Sequence, residues 1–209
     1  MGVVSVLHYP LPAGKSGPQV VNALQKRVEL LGAVRTSNFA VECSTYQHVQ
    51  GVAAMQRTIN LVTNSETPAS CYSVLDSGSC LVTDTMFERI MPLLREYYEH
   101  KENLKMESRG QRYEYCDFII KIGSVVLGQS STFKGVLVEI EYSPCSVAAD
   151  CMGIMKEIAL GLLDNHGDQL TNHLKGKLND IYTPVDTVLQ YLEHFNSFRK
   201  AAQPSIAPR

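Results

Sequence analysis

Polar and apolar residues alternate along much of the chain, which is the period of half-buried β-strands. The clearest alternation covers residues 38–45, where Phe39, Val41 and Cys43 fall on one face and more polar residues lie between them. Glycines between the later segments of this kind indicate turns, and the whole pattern predicts about eight strands. The other segments that predict strands are residues 2–9, 58–64, 70–75, 79–83, 104–108, 112–122, 124–127 and 135–142.

Apolar residues recur at helical spacing in four further segments, at residues 18–31, 85–97, 148–163 and from 183 to near 200. Pro92 lies within the second of these and predicts a kinked or late-starting helix. Because the middle strands follow one another without helices between them, we predict an α+β fold, an antiparallel β-barrel flanked by the helices. Residues 1–200 are predicted to form one domain and residues 201–209 a flexible tail.

Charge and cysteine content narrow the classes of function. The chain has 209 residues, with 19 basic and 21 acidic side chains and a net charge of -2, and its cations are interspersed with carboxylates. Nucleic-acid binding depends on clustered cations, so we expect no direct contact with DNA or RNA. The first residues lack the pattern of a signal peptide, and no apolar stretch has the ~20 residues that span a bilayer. We therefore expect the six cysteines to be reduced and mostly buried.

Motifs for cofactors, metals and nucleophiles are weak. Gly14, Lys15 and Ser16 lie between a strand and a helix, but Tyr9 stands where a phosphate-binding loop needs its first glycine. The cysteines and histidines lack the close pairing of a zinc site. No cysteine or serine lies in a recognisable catalytic signature. We predict no cofactor, no metal and no catalytic residue.

Glu139 and Glu141 form the one arrangement that is typical of an enzyme. Residues two apart on a strand share a face, so these carboxylates could hold a divalent cation inside a barrel. The alternative is that they face outward while Val138, Ile140 and Tyr142 face the core. We favour this alternative because the inner face should be the more apolar one, and we expect the lumen to be apolar.

Aromatic and arginine residues, which are enriched at protein interfaces, cluster at three places along the chain. They lie in the segment after Arg109, in the pair at the end of the second predicted helix, and near the C-terminus. The resulting candidates for contact with a partner protein are Arg112, Tyr113, Tyr115, Tyr97, Tyr98, Phe195 and Phe198. The competing interpretation is that these side chains cover the ends of the chain's own barrel.

Residues 107–123, which read ESRGQRYEYCDFIIKIG, resemble the central signature of the family of Mediator complex subunit 20, also called the TRF-proximal protein family. Further blocks agree with this family in the same order, so the resemblance covers nearly the whole chain. These blocks are residues 29–33, 80–85, 138–145 and 182–196.

The resemblance implies a non-catalytic subunit in the head module of a nuclear transcription coregulator. It implies a β-barrel that pairs with head subunit 18, is tethered through a helix of head subunit 8, and lies among other Mediator subunits. The complex bridges activators and RNA polymerase II, and the family is linked to TATA-binding protein. The family's barrel is similar to tunnel-type triphosphatases, so a metal-dependent phosphohydrolase using Glu139 and Glu141 stays the alternative. We expect charged side chains inside the barrel only in the enzyme.

Overall fold

A computed structural model describes residues 2–49, 57–167 and 169–202 of the chain. Its strands form one antiparallel sheet in the order β1-β9-β8-β7-β2-β3-β4-β5, and β6 adds a short pairing to β2. The strands are β1 (Val3–Tyr9), β2 (Val34–His48), β3 (Thr58–Asn64), β4 (Ser70–Leu75), β5 (Cys80–Asp84), β6 (Tyr98–His100), β7 (Met106–Tyr115), β8 (Phe118–Leu127) and β9 (Thr132–Tyr142).

Helices cover both faces of this sheet, which confirms the predicted α+β class. The α-helices are α1 (Gly17–Leu30), α2 (Met86–Ile90), α3 (Ala148–Leu163), α4 (Asn172–Gly176) and α5 (Pro184–Ala202). Three short 3-10 turns accompany them, at Met91–Leu94, Glu102–Leu104 and Asp164–His166. The strand path is open, because β1 and β5 end it and do not pair with each other in the described residues. The barrel is therefore a curved sheet without a closing pair of strands.

Gly110 and Gly123, at which the pattern predicts turns, lie inside strands. Residues 104–127 were predicted to form three strands, but they form the hairpin of β7 and β8, which turns at Cys116 with φ 50. Gly110 and Gly123 pair directly across this hairpin. A Cβ on Gly123 would lie 2.7 Å from the ring of Phe39, so this glycine makes space for an aromatic side chain rather than for a turn.

Helices α1 and α3 pack on one face of β1, β8 and β9, and α5 packs on the opposite face. Helix α5 hydrogen-bonds to β1, β9, β2 and β3, so the sheet must curve around it. Residues 135–141 of β9 are buried at every position. A strand that is covered on both faces has no exposed side. The alternation of polar and apolar residues then cannot show which side faces the core.

The free edge of β1 is closed by side chains of α5. The amide of Gln190 accepts a hydrogen bond from the Val6 backbone N–H at 3.1 Å and donates to the Val4 carbonyl at 2.9 Å. His194 Nε2 lies 2.9 Å from the Val6 carbonyl oxygen. These side chains make the hydrogen bonds that a neighbouring strand would make. The outward backbone groups of Val4 and Val6 are therefore paired although β1 ends the sheet.

The remaining segments differ from the predictions in their details. Helix α2 has only five residues, and Pro92 is the second residue of the 3-10 turn that follows it. The helical segment is thus interrupted at the proline. Helix α4 lies within the predicted loop before α5. Helix α5 includes the first two residues of the predicted tail, and residues 203–209 lie outside the described residues. None of the helices that the structure describes has the length and apolarity to cross a membrane.

Replacing Gln190 by Ala should lower the free energy of unfolding by about 2 kcal/mol or more. The substitution leaves the Val6 N–H and the Val4 carbonyl buried without partners, and each such group costs ~1–3 kcal/mol. Denaturant unfolding measures the change. Ser197→Ala, on the exposed face of the same helix, is the control and should change stability by less than about 0.5 kcal/mol. Equal effects of the two substitutions would contradict the edge-closing role of Gln190.

Acidification should weaken the contact between α5 and β1. Burial, helped by His194 and His166, lowers the pKa of His8 below the ordinary 6.5, and burial likewise lowers the pKa of His194. The unfolded chain therefore binds protons first, so these two histidines leave stability unchanged well above pH 6.5 and lower it as the pH decreases below that value. Thermal unfolding measured between about pH 7 and pH 5 checks this. The double variant His8→Gln/His194→Gln should show a flatter pH profile, and an unchanged profile would contradict the assignment.

Candidate functional site

The concave face of the sheet contains a buried ion pair. Lys121 on β8 and Glu139 on β9 are direct cross-strand neighbours, and Lys121 Nζ lies 2.8 Å from Glu139 Oε1. The Tyr191 hydroxyl of α5 donates to Glu139 Oε2 at 2.7 Å. Glu139 has 1% of its surface exposed and Lys121 3%, so both charges lie in the interior. The helix thus completes the coordination of a carboxylate that belongs to the sheet.

The protonation states in this cluster follow from its burial and its charges. Burial alone would lower the pKa of Lys121, but the carboxylates of Glu139, Glu66 and Glu141 together outweigh burial and the pKa is raised. Burial and the carboxylate of Glu139 raise the pKa of Tyr191 well above its ordinary value. Lys121 is therefore charged and Tyr191 neutral near pH 7. The group is an ammonium–carboxylate pair with a phenol that donates a hydrogen bond.

A cavity of about 290 Å³ lies beside this pair, at the end of the concave face where α5 begins. Glu141 lines it and accepts a hydrogen bond from the Gly2 backbone N–H at 2.8 Å. Glu66 lies 3.5 Å from both Lys121 and Arg112. The other lining residues are Val4, Asn64, Thr67, Tyr72, Ile119, Pro184 and Thr187.

The prediction that Glu139 and Glu141 face outward is wrong, and so is the prediction of an apolar lumen. Val138 and Ile140 do face away from these carboxylates, but they pack under α1 and α3 rather than against the concave face. An extra layer of helices therefore buries the apolar side of β9, and the charged side faces α5. Periodicity identified the two sides of the strand and placed Val138 and Ile140 correctly in a core, but it assigned the carboxylate side to the wrong environment.

The concave carboxylates are engaged by groups of the protein itself. Glu139 is used by Lys121 and Tyr191, and Glu141 by the backbone of Gly2. Among the described residues, no group of three or more Asp, Glu, His or Cys side chains is arranged to hold a metal ion. This arrangement fixes a helix in place, and it does not favour the phosphohydrolase alternative.

A second polar anchor holds the C-terminal end of α5. The Arg199 guanidinium is 8% exposed and donates to Thr45 Oγ1 at 2.8 Å, to Asn60 Oδ1 at 3.1 Å and to the Leu104 carbonyl at 3.0 Å. Tyr191 and Arg199 are eight residues apart, or about 12 Å along the helix axis. Helix α5 is thus bonded to β9 near its middle and to β2 and β3 near its C-terminal end.

The seven interface candidates lie in three separate places. Tyr113, Phe195 and Phe198 are at most 9% exposed and belong to the chain's own core, so they do not reach a partner in this conformation. Arg112 is largely buried between Thr36 and Glu114, and Tyr115 packs at the margin of the core. Tyr97 is 50% exposed, and its neighbour Tyr98 packs inward against a smaller apolar cluster. Of the seven, Tyr97 is the most accessible to a partner.

Exposed apolar side chains that sequence reasoning missed are concentrated in the segment that ends at Tyr97. Seven of the fourteen exposed large apolar side chains in the described part of the chain lie between residues 75 and 97. We call them the 75–97 surface: Leu75, Leu81, Val82, Met86, Ile90, Leu93 and Tyr97. The sequence contains a pattern that indicates these exposed residues, because the helical segment at 85–97 has two parallel apolar stripes. Phe87, Met91, Leu94 and Tyr98 face the smaller cluster, and the stripe one residue earlier faces outward.

Comparison with known families agrees with this picture of a binding protein. Residues 1–196 match the family model described as the TATA-binding related factor (TRF) of subunit 20 of the Mediator complex. The chain belongs to the Mediator subunit 20 family. It is 43% identical to Mediator of RNA polymerase II transcription subunit 20 from Aedes aegypti, with 100% of both chains covered. It is 36% identical to the Homo sapiens protein of that name, with 99% of both covered.

A chain in the solved Schizosaccharomyces pombe Mediator head module is also similar, with a TM-score of 0.31 and 10% identity over 66% of this chain and 79% of that chain. This likeness is too low to support a structural argument. The family assignment rests on the full-length sequence matches. As a member of the Mediator subunit 20 family, the chain is a non-catalytic Mediator subunit that takes part in regulating transcription.

Removing one member of the buried pair should destabilise the fold more than removing both. Glu139→Ala leaves the Lys121 ammonium without its nearest carboxylate and should lower the free energy of unfolding by about 3 kcal/mol or more. The double variant Lys121→Met/Glu139→Leu should lose clearly less, because neither charge of the pair is left buried without the other. Urea unfolding measures both. Glu42→Ala, which breaks the partly exposed pairs with Lys105 and Arg109, is the control and should cost about 1 kcal/mol or less. A double variant as unstable as Glu139→Ala would contradict this account.

Proposed function

We propose that this chain works in the head module of Mediator by assembly, pairing with head subunit 18 and contacting the helix of head subunit 8. Through that assembly it contributes to the bridge between activators and RNA polymerase II, in the nucleus, with TATA-binding protein as a further candidate partner. The 75–97 surface is the observation that supports this proposal. Membership of the family supports the place of the chain in Mediator, and the 75–97 surface supports action by contact with partner proteins.

The interior of the protein supports assembly rather than chemistry. Its ionised groups are paired with each other or with α5, so they are engaged in holding the fold. The outer surface is then what remains to act on other molecules. Leu93 at 80% exposure and Leu81 at 58% are large apolar groups in contact with water, and a partner that covered them would gain the free energy of burying them.

Reconstitution with recombinant subunits tests the proposal. We expect the wild-type chain, co-expressed with head subunits 18 and 8, to elute with them as one stable complex in size-exclusion chromatography. Leu93→Asp should weaken this complex, because it places a charge within the 75–97 surface. Leu30→Asp is the matched control, since Leu30 is 88% exposed but lies on α1, away from that surface.

The outcomes test the pairing with subunits 18 and 8 separately from the role of the 75–97 surface. If the wild-type chain does not bind subunits 18 and 8, the proposed pairing is wrong. If it binds them and Leu93→Asp behaves like Leu30→Asp, the pairing holds but the 75–97 surface does not mediate it. Thermal unfolding of the free variants should match the wild type within the ordinary range for surface substitutions, about 0.5 kcal/mol.

A further inference from the structure

The strand β5 ends the sheet and pairs on one side only. In the described residues its sole strand partner is β4, in the register Ser70 with Asp84 through Val74 with Cys80. The two ends of the sheet therefore differ. At β1 the outward backbone groups of Val4 and Val6 are bonded to α5, whereas no described group outside β4 and its turn bonds to the backbone of residues 80–83.

The turn before β5 determines which backbone groups point outward. Leu75 donates its N–H to the Ser79 carbonyl at 3.0 Å, so this pair is a hydrogen-bonded one. Antiparallel pairs alternate between hydrogen-bonded and non-hydrogen-bonded types. Leu81 and Thr83 therefore point their backbone groups toward β4. Cys80, Val82 and Asp84 point theirs to the open side, where they form the template for another strand.

Lysine, proline and β-bulges, three features that often protect an edge strand, are missing from β5. Its residues are Cys80, Leu81, Val82, Thr83 and Asp84, with no lysine and no proline, and its pairing with β4 contains no bulge. Leu81 and Val82 project to opposite faces and are 58% and 51% exposed. Helix α2 contacts β5 and adds Met86 and Ile90 to the apolar surroundings. An added strand would find unpaired backbone groups and apolar contacts on both of its faces.

We propose that the free edge of β5 receives an extended segment of another Mediator subunit as an additional strand of this sheet. The segment would be about five residues long, like β5, and rich in apolar side chains on both faces. A helix is a poorer occupant because its backbone groups are already bonded internally. This inference rests on the proposed function and names the contact by which the chain would enter its complex.

Substitution at Val82 tests the backbone pairing separately from the side chain. Val82→Pro removes an N–H that points to the open side and leaves the hydrogen bonds to β4 in place, and edge positions of this kind tolerate proline. Val82→Ala removes the same side chain and keeps the N–H, so it is the matched control. In a complex reconstituted from recombinant head subunits 18 and 8, we expect Val82→Pro to bind about tenfold more weakly than Val82→Ala.

Hydrogen exchange on the wild-type chain gives an independent reading that needs no variant. The backbone amide of Val82 should exchange rapidly in the free chain and become protected in the complex, while the amide of Leu81 should be protected in both because it faces β4. This measurement decides the question even if Val82→Pro fails to fold.

The possible outcomes distinguish this inference from the proposed function. Failure of the wild-type chain to join the complex overturns both. A stable complex in which the Val82 amide stays unprotected, and in which Val82→Pro binds like Val82→Ala, overturns the strand contact alone. Protection of that amide in the free chain at high concentration, with a dimer in analytical ultracentrifugation, assigns the edge to a second copy and also overturns the proposal.

Discussion

The structure depends on the hydrogen bonds between helix α5 and polar groups on the concave face of the sheet. Without α5, Glu139 and the edge of β1 would each lack partners that they have in the folded chain. The helix supplies a phenol, an amide, an imidazole and a guanidinium at four positions along its length. A sheet that carries charges on its concave face can bury them only against an element with this sequence of polar groups. The sheet and the helix are therefore complementary in chemistry as well as in shape.

Buried ion pairs contribute little net stability compared with apolar residues of the same size, because desolvation offsets the attraction between the charges. Their effect here is better understood as specificity. An apolar helix could slide along an apolar face with little change in energy, but Tyr191 and Arg199 can reach Glu139 and Asn60 together in one position only. The position of α5 in turn sets the curvature of the sheet, because its two anchors lie on strands that are distant in the strand order. The charged lumen thus has a structural explanation that requires no catalysis.

Most of the fold could be predicted from period and turn chemistry, and the failures share one physical cause. Strands such as β1 and β3 and helices such as α1 and α5 follow their apolar patterns. The environments of Glu139 and Gly123 could not be predicted, because each depends on elements that are distant in the sequence. Glu139 accepts a hydrogen bond from Tyr191, which is 52 residues away in the sequence. Position 123 needs a glycine because the ring of Phe39 approaches its backbone. The outer stripe at Met86 and Leu93 is visible in the pattern, but the pattern alone does not tell which of two adjacent apolar stripes faces the core.

The two ends of the sheet explain why a protein of this design suits assembly. Closing both ends with the chain's own residues would give a self-contained barrel, whereas α5 closes the β1 end and none of the described residues covers the β5 end. An exposed edge with apolar residues on both faces is a hazard for a free monomer, because it can pair with any extended chain. It is tolerable when a partner covers it for most of the protein's lifetime. The open end of the sheet and membership of a large complex are therefore consistent with each other, and the apolar residues beside β5 have a physical reason to remain on the surface.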